Sequence, residues 1–117
     1  MADHNHLIAS KLTQQVSCLE SIAALLDDEL TAIAAKRGDG LKSIAQQKIS
    51  LLQQIQTIDK EVQKLVTHNE SQDGEVSALI KQVNTLLASC KKKNDVNAHA
   101  AHQAQLSVKQ LKDILIG

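Results

Sequence analysis

Apolar and small residues recur along this chain at alternating steps of three and four, in three long stretches separated by breaker residues. That 3.5-residue spacing is the mark of helices that pack lengthwise on one another. The first stretch places Leu12, Val16, Leu19, Ala23, Leu26, Leu30 and Ile33 on one seam, with Ile8, Ile22 and Glu29 as a flanking stripe. A face this wide serves a helix that touches two neighbours. It predicts a first helix from about Asn5 to Arg37. Gly38-Asp39-Gly40 follows as a turn, with Asp39 suited to cap the next helix.

The second seam runs Leu41, Ile44, Lys48, Leu51, Ile55, Ile58, Val62, Leu65, widened by Ile49, Leu52 and Val66, and predicts a helix over about 41–67. The polar segment His68 to Gly74 then breaks the pattern, with Ser71 or Asp73 placed to cap a third helix over about 75–116. The third seam reads Val76, Ile80, Val83, Leu87, Cys90, Asn94, Asn97, Ala101, Ala104, Val108, Leu111, Leu115. At 1.5 Å per residue this helix spans roughly 60 Å. Short connections make successive helices antiparallel neighbours. The predicted architecture is therefore all-α, a single elongated antiparallel three-helix bundle or coiled coil with a long C-terminal helix.

Antiparallel registry has two consequences. Residues facing one another across the first turn bring Lys48 level with Glu29 and Leu30, and across the second turn they bring Lys48 level with Asn94. Glu29, Lys48 and Asn94, with Asn97 one turn on, thus form a candidate structural polar layer. A polar group in an apolar seam is costly unless paired, and once paired it fixes register. The alternative is a Lys48 that extends its ammonium to solvent and a Glu29 that is merely exposed. The second consequence is a surplus. The second helix begins opposite Ala101, so Leu106, Val108, Leu111, Ile114, Leu115 and Ile116 have no partner within the chain. Either the third helix overhangs the bundle, or it breaks near Asn94–Asn97 and folds back. An exposed apolar stripe marks a binding surface.

Composition agrees with a thin, elongated core. The 117 residues include no proline and no Phe, Tyr or Trp. Thirteen basic and thirteen acidic side chains balance, so the concentrated positive field that nucleic acid requires is missing. Lys91-Lys92-Lys93 reads as a solvated helix face. Cys18 and Cys90 read as small buried thiols of a reducing compartment rather than a disulfide. Nothing resembles a signal peptide or a membrane span, which predicts a cytoplasmic protein. Ser10, Ser17 and Ser21 lack a positioned base, and Gly38-Asp39-Gly40 lacks the spacing of a phosphate loop. The histidine pairs His4/His6 and His99/His102 lack the further ligands of a zinc site. The expectation is a protein with no catalytic residues, no metal and no cofactor.

The whole pattern resembles the FlgN family of flagellar export chaperones over roughly residues 8–117. The similarity is carried by Leu25-Leu26-Asp27-Asp28-Glu29-Leu30, by Lys48 with Leu51-Leu52, by Asn94 with Asn97, and by the closing Leu111-Lys112-Asp113-Ile114-Leu115-Ile116-Gly117. The resemblance implies a bacterial, cytosolic, non-enzymatic chaperone for the hook–filament junction proteins FlgK and FlgL, passing them to the flagellar type III export apparatus. It also implies that the C-terminal helical region grips the substrate, with Leu106, Val108, Leu111, Ile114 and Leu115 as partner-binding residues. A homodimer through the same stripe is a further expectation. Many relatives have Gly where Ala98 stands, and many continue past the position of Gly117, in some cases with an aromatic that docks on the export gate; this sequence has no aromatic residue. The competing reading is a structural coiled-coil or adaptor subunit, for which the same heptads suffice.

Overall fold

The computed structural model of the chain describes the backbone of residues 2–67 and 74–116 and the side chains of 5–66, 74–106, 109, 110 and 113. The backbone forms three helices, α1 (Ala2–Ala34), α2 (Gly38–Thr67) and α3 (Gly74–Ile116), with no strand among the described residues. The expected turn over 68–73, with Ser71 or Asp73 as a cap, lies outside the described residues. The molecule is a rod of 71 × 20 × 19 Å. Its length follows from α3, whose 43 residues span about 64 Å at the usual rise. α3 is continuous through Asn94 and Asn97, so the fold-back does not occur.

α1 is the shared element. It packs against both α2 and α3, while among the described residues no Cα of α2 comes within 8 Å of one of α3. The buried residues of α1 include Ile8, Leu12, Gln15, Leu19, Ile22 and Leu26, a strict alternation of four and three steps. This line differs from the seam expected through Ala23, Leu30 and Ile33. Val16 is buried, but Leu30 is 38% exposed. The observed line joins Leu12, Leu19 and Leu26 of the expected seam to Ile8 and Ile22 of the expected flank, because α1 serves two neighbours, and it also carries Gln15, which an apolar count passes over. In α3 every seventh residue from Val76 through Val83, Cys90 and Asn97 is buried. These are small or slender side chains, which suits two helices lying close along their length.

The first turn also differs from expectation. The helix does not end at Gly38; Lys36 takes the left-handed conformation, with φ of 59°. Its N–H donates to the Ile33 carbonyl at 3.2 Å and that of Arg37 to the Ala32 carbonyl at 2.9 Å. Those two bonds are the Schellman termination, here with lysine at the position glycine usually takes. Arg37, not Asp39, is the residue before the first turn of α2, its carbonyl accepting from the Leu41 N–H at 3.3 Å. Asp39 lies inside that turn, where a carboxylate favours the positive end of the helix dipole.

Gly38 and Gly40 are therefore helical residues, and a Cβ at either would meet nothing within 4 Å. Gly38→Ala and Gly40→Ala should each raise stability by about 0.4–1 kcal/mol, because alanine restricts the unfolded chain and fits the helix. Lys36→Gly should relieve the left-handed strain and give a gain of about 1 kcal/mol at most. Chemical denaturation followed by circular dichroism checks all three; a loss of stability at Gly38 or Gly40 would contradict the helical placement.

Candidate functional site

The polar layer is built from one residue pattern on each helix. Glu29 continues the heptad line of α1, Lys48 interrupts the apolar line of α2, and Asn97 continues that of α3. Lys48 Nζ donates to both Glu29 oxygens, at 3.1 and 3.3 Å. Asn97 Nδ2 donates to Glu29 Oε1 at 2.8 Å and to the Leu26 carbonyl at 2.8 Å. Lys48 Nζ also donates to Asn94 Oδ1 at 3.4 Å, joining α2 to α3 directly. The structure thus brings Glu29, Lys48, Asn94 and Asn97 to one level. The side chains of Lys48 and Glu29 are only 22% and 15% exposed, and Asn97 is buried, so the bonds to Glu29 are shielded from water, whereas Asn94 is exposed. The outer pairs, Lys93–Asp27 at 2.5 Å and Lys11–Glu61 at 2.5 Å, are more exposed and contribute little.

The layer sets the register of the long helix. Asn97 bonds the Leu26 carbonyl and Cys90 Sγ donates to the Leu19 carbonyl at 3.5 Å, and both pairs are 71 positions apart. That offset brings Ala34, the end of α1, level with Gln105. The stretch 106–116 therefore continues as helix about 16 Å beyond α1. Of the expected partner-binding residues, Leu106 is 38% exposed, at the base of this overhang. Val108, Leu111, Ile114 and Leu115 lie on its helical backbone, with side chains outside the described residues.

A second surface was not anticipated. Because α2 and α3 stand apart, a furrow runs between them over α1. It comprises an apolar cavity of about 250 Å³ beside Lys48 and a second of about 500 Å³ toward the 66/80 level. Leu87 lines both, so the two lie end to end along the same side of α3. Leu52 on one wall and Leu87 on the other are 48% and 42% exposed. Leu87 and Ile55, each on the expected seam of its helix, both line the first cavity. The sequence signal was the extra apolar width of α2, where Ile49 and Leu52 lie outside the seam that α1 covers.

Cys90 is buried, and burial pushes its thiol above the ordinary value, with nearby Lys93 lowering and Asp27 raising it more weakly. Cys18, expected to be buried, is half-exposed and donates to Gln54 Oε1 at 3.6 Å. Among the described residues no group of three His, Cys, Asp or Glu could hold a metal, and no helix is long and apolar enough to cross a membrane.

Two outcomes follow from this geometry. Lys48→Ala should cost about 1–3 kcal/mol, because Glu29 keeps its burial and loses its cation. Lys48→Met combined with Glu29→Leu should recover most of that loss in the same urea titration; no recovery would mean that the pair itself, not the unpaired carboxylate, carries the effect. In the native protein at pH 8, a thiol reagent should label Cys18 fast and Cys90 slowly, and equal rates would contradict the burial of Cys90.

The model of one protein family, described as FlgN protein, matches residues 1–117, the whole chain. No curated protein and no solved structure matches it.

Proposed function

The chain belongs to the FlgN family and is a flagellar export chaperone; on that premise we propose that it binds the hook–filament junction proteins FlgK and FlgL through the end of α3. It holds their terminal segments soluble in the cytoplasm and hands them to the type III export apparatus. Its action is binding alone, without catalytic chemistry, metal or cofactor. The observation that supports this reading is the overhang: α3 continues as helix about 16 Å past the end of α1. Over that stretch the sequence keeps an apolar stripe of Leu106, Val108, Leu111, Ile114 and Leu115. An amphipathic helix that runs beyond the helix it packs on is suited to take an amphipathic segment of a partner. In the absence of substrate the same stripe pairs with a second copy, because exposed Leu and Ile seek apolar surface.

Burying one large aliphatic side chain contributes about 1.5–3 kcal/mol. Leu111→Ala with Leu115→Ala should therefore weaken binding roughly a hundredfold or more, since about 1.4 kcal/mol is a factor of ten. Calorimetric titration against FlgK and against FlgL, beside a thermal melt, checks this. The melt should be unchanged. Unaltered affinity for both proteins would overturn the assignment and favour a structural coiled-coil subunit.

A further inference from the structure

The open furrow between α2 and α3 is a second seat for the substrate. We propose that one amphipathic helix of the bound junction protein lies in it, completing a local four-helix bundle. This rests on the reading of the chain as a junction-protein chaperone and adds a site to it. Three observations carry it.

First, the furrow has the length of a four-turn helix. Its α3 wall runs from Ile80 to Asn94, about 21 Å at the helical rise, or four turns. α1 supplies the floor with the same buried seam that packs the bundle. A helix laid there meets heptad-spaced residues on three sides, as the fourth member of a bundle does.

Second, the furrow is apolar but has charge at defined places. The cavity beside the polar layer is lined by Lys48 and Lys91 and by no acidic side chain. The other is lined by Asp59 and by no basic one. Lys48 is neutralised by Glu29, whereas Lys91 takes part in no ion pair among the described residues. By the Lys48–Asn94 bond, Lys91 lies level with Leu51, about 12 Å along the rod from Asp59. The complementary occupant is a helix with an apolar stripe, a carboxylate on its flank and a basic residue about two turns away. That arrangement fixes its direction as well as its place.

Third, a second copy fits less well. Among the described residues its helix outside the bundle, 106–116, is shorter than the furrow and carries Lys109 and Lys112 against Asp113 alone. The polar layer closes the furrow at one end, where Lys48 bridges α2 to Asn94, and acts as a stop for the incoming helix.

The test is calorimetric titration of the full-length chain with purified FlgK and with purified FlgL, using three variants. Leu52→Glu with Leu87→Glu alters only exposed wall positions and should weaken binding at least tenfold with the thermal melt unchanged. Lys91→Glu should weaken it severalfold at low salt and much less at high salt. Leu111→Ala with Leu115→Ala reports the overhang separately. Wild-type affinity in the furrow variants, beside a loss in the overhang variant, would overturn the furrow and leave the chaperone reading standing. Absence of binding by the native chain to both proteins would overturn both. A change in self-association without a change in affinity would assign the furrow to a second copy and overturn the proposal. If the double glutamate variant lowers the melt, a photo-crosslinking benzoylphenylalanine at Leu87 decides instead: a covalent adduct with the junction protein supports the seat, and no adduct overturns it.

Discussion

The Glu29 carboxylate is the point on which the arrangement of the three helices depends. It sits near the C-terminal end of the apolar seam of α1, mostly shielded, and is tolerable there because α2 brings Lys48 and α3 brings Asn97 to it. A slip of any helix by one heptad would preserve the apolar contacts, since heptads repeat. It would leave a largely shielded carboxylate or ammonium without its partner, at a cost of about 1–3 kcal/mol. Hydrophobic burial therefore drives the helices together, and the layer selects among the registers that burial alone leaves nearly equal.

Register has consequences at both proposed binding surfaces. The shared offset of the Asn97–Leu26 and Cys90–Leu19 bonds sends the last turns of α3 beyond α1. The layer also holds α2 and α3 on either side of α1 through polar side chains rather than direct backbone approach, and the furrow stays open. Small residues at every seventh position let α3 lie close to α1, while larger Leu87 and Leu52 are left on the furrow walls. A chaperone needs apolar surface that its own fold does not cover, and here that surface results from unequal helix lengths and a three-helix array that does not close.

Much of this was legible in the sequence. Helix number, their approximate limits and the convergence of Glu29, Lys48 and Asn94 follow from spacing alone, because a 3.5-residue period and two breaker segments leave few antiparallel arrangements. The exact turn was not legible. Gly38 and Gly40 are strong breakers by propensity, yet Lys36 adopts the left-handed conformation and both glycines are helical. The centre line of α1 was legible only in part, through Leu12, Leu19 and Leu26, because Gln15 also lies on it and an apolar count discards that residue. The furrow was hidden for a different reason: Leu52 and Leu87 obey the same periodicity as core residues, and only the separation of α2 from α3 tells wall from core. The overhang was legible as a surplus of helix.

The central claim is that the bundle and the surface for partners are separate parts of one continuous α3. Hydrogen exchange of the backbone amides of α3, in the free protein and in the complex with FlgK, tests it most directly. The account predicts slow exchange around Cys90–Asn97 in both states, and fast exchange over 106–116 in the free protein that slows strongly in the complex. Exchange over 106–116 that is unchanged by FlgK, or that changes only together with the Cys90–Asn97 level, would contradict it.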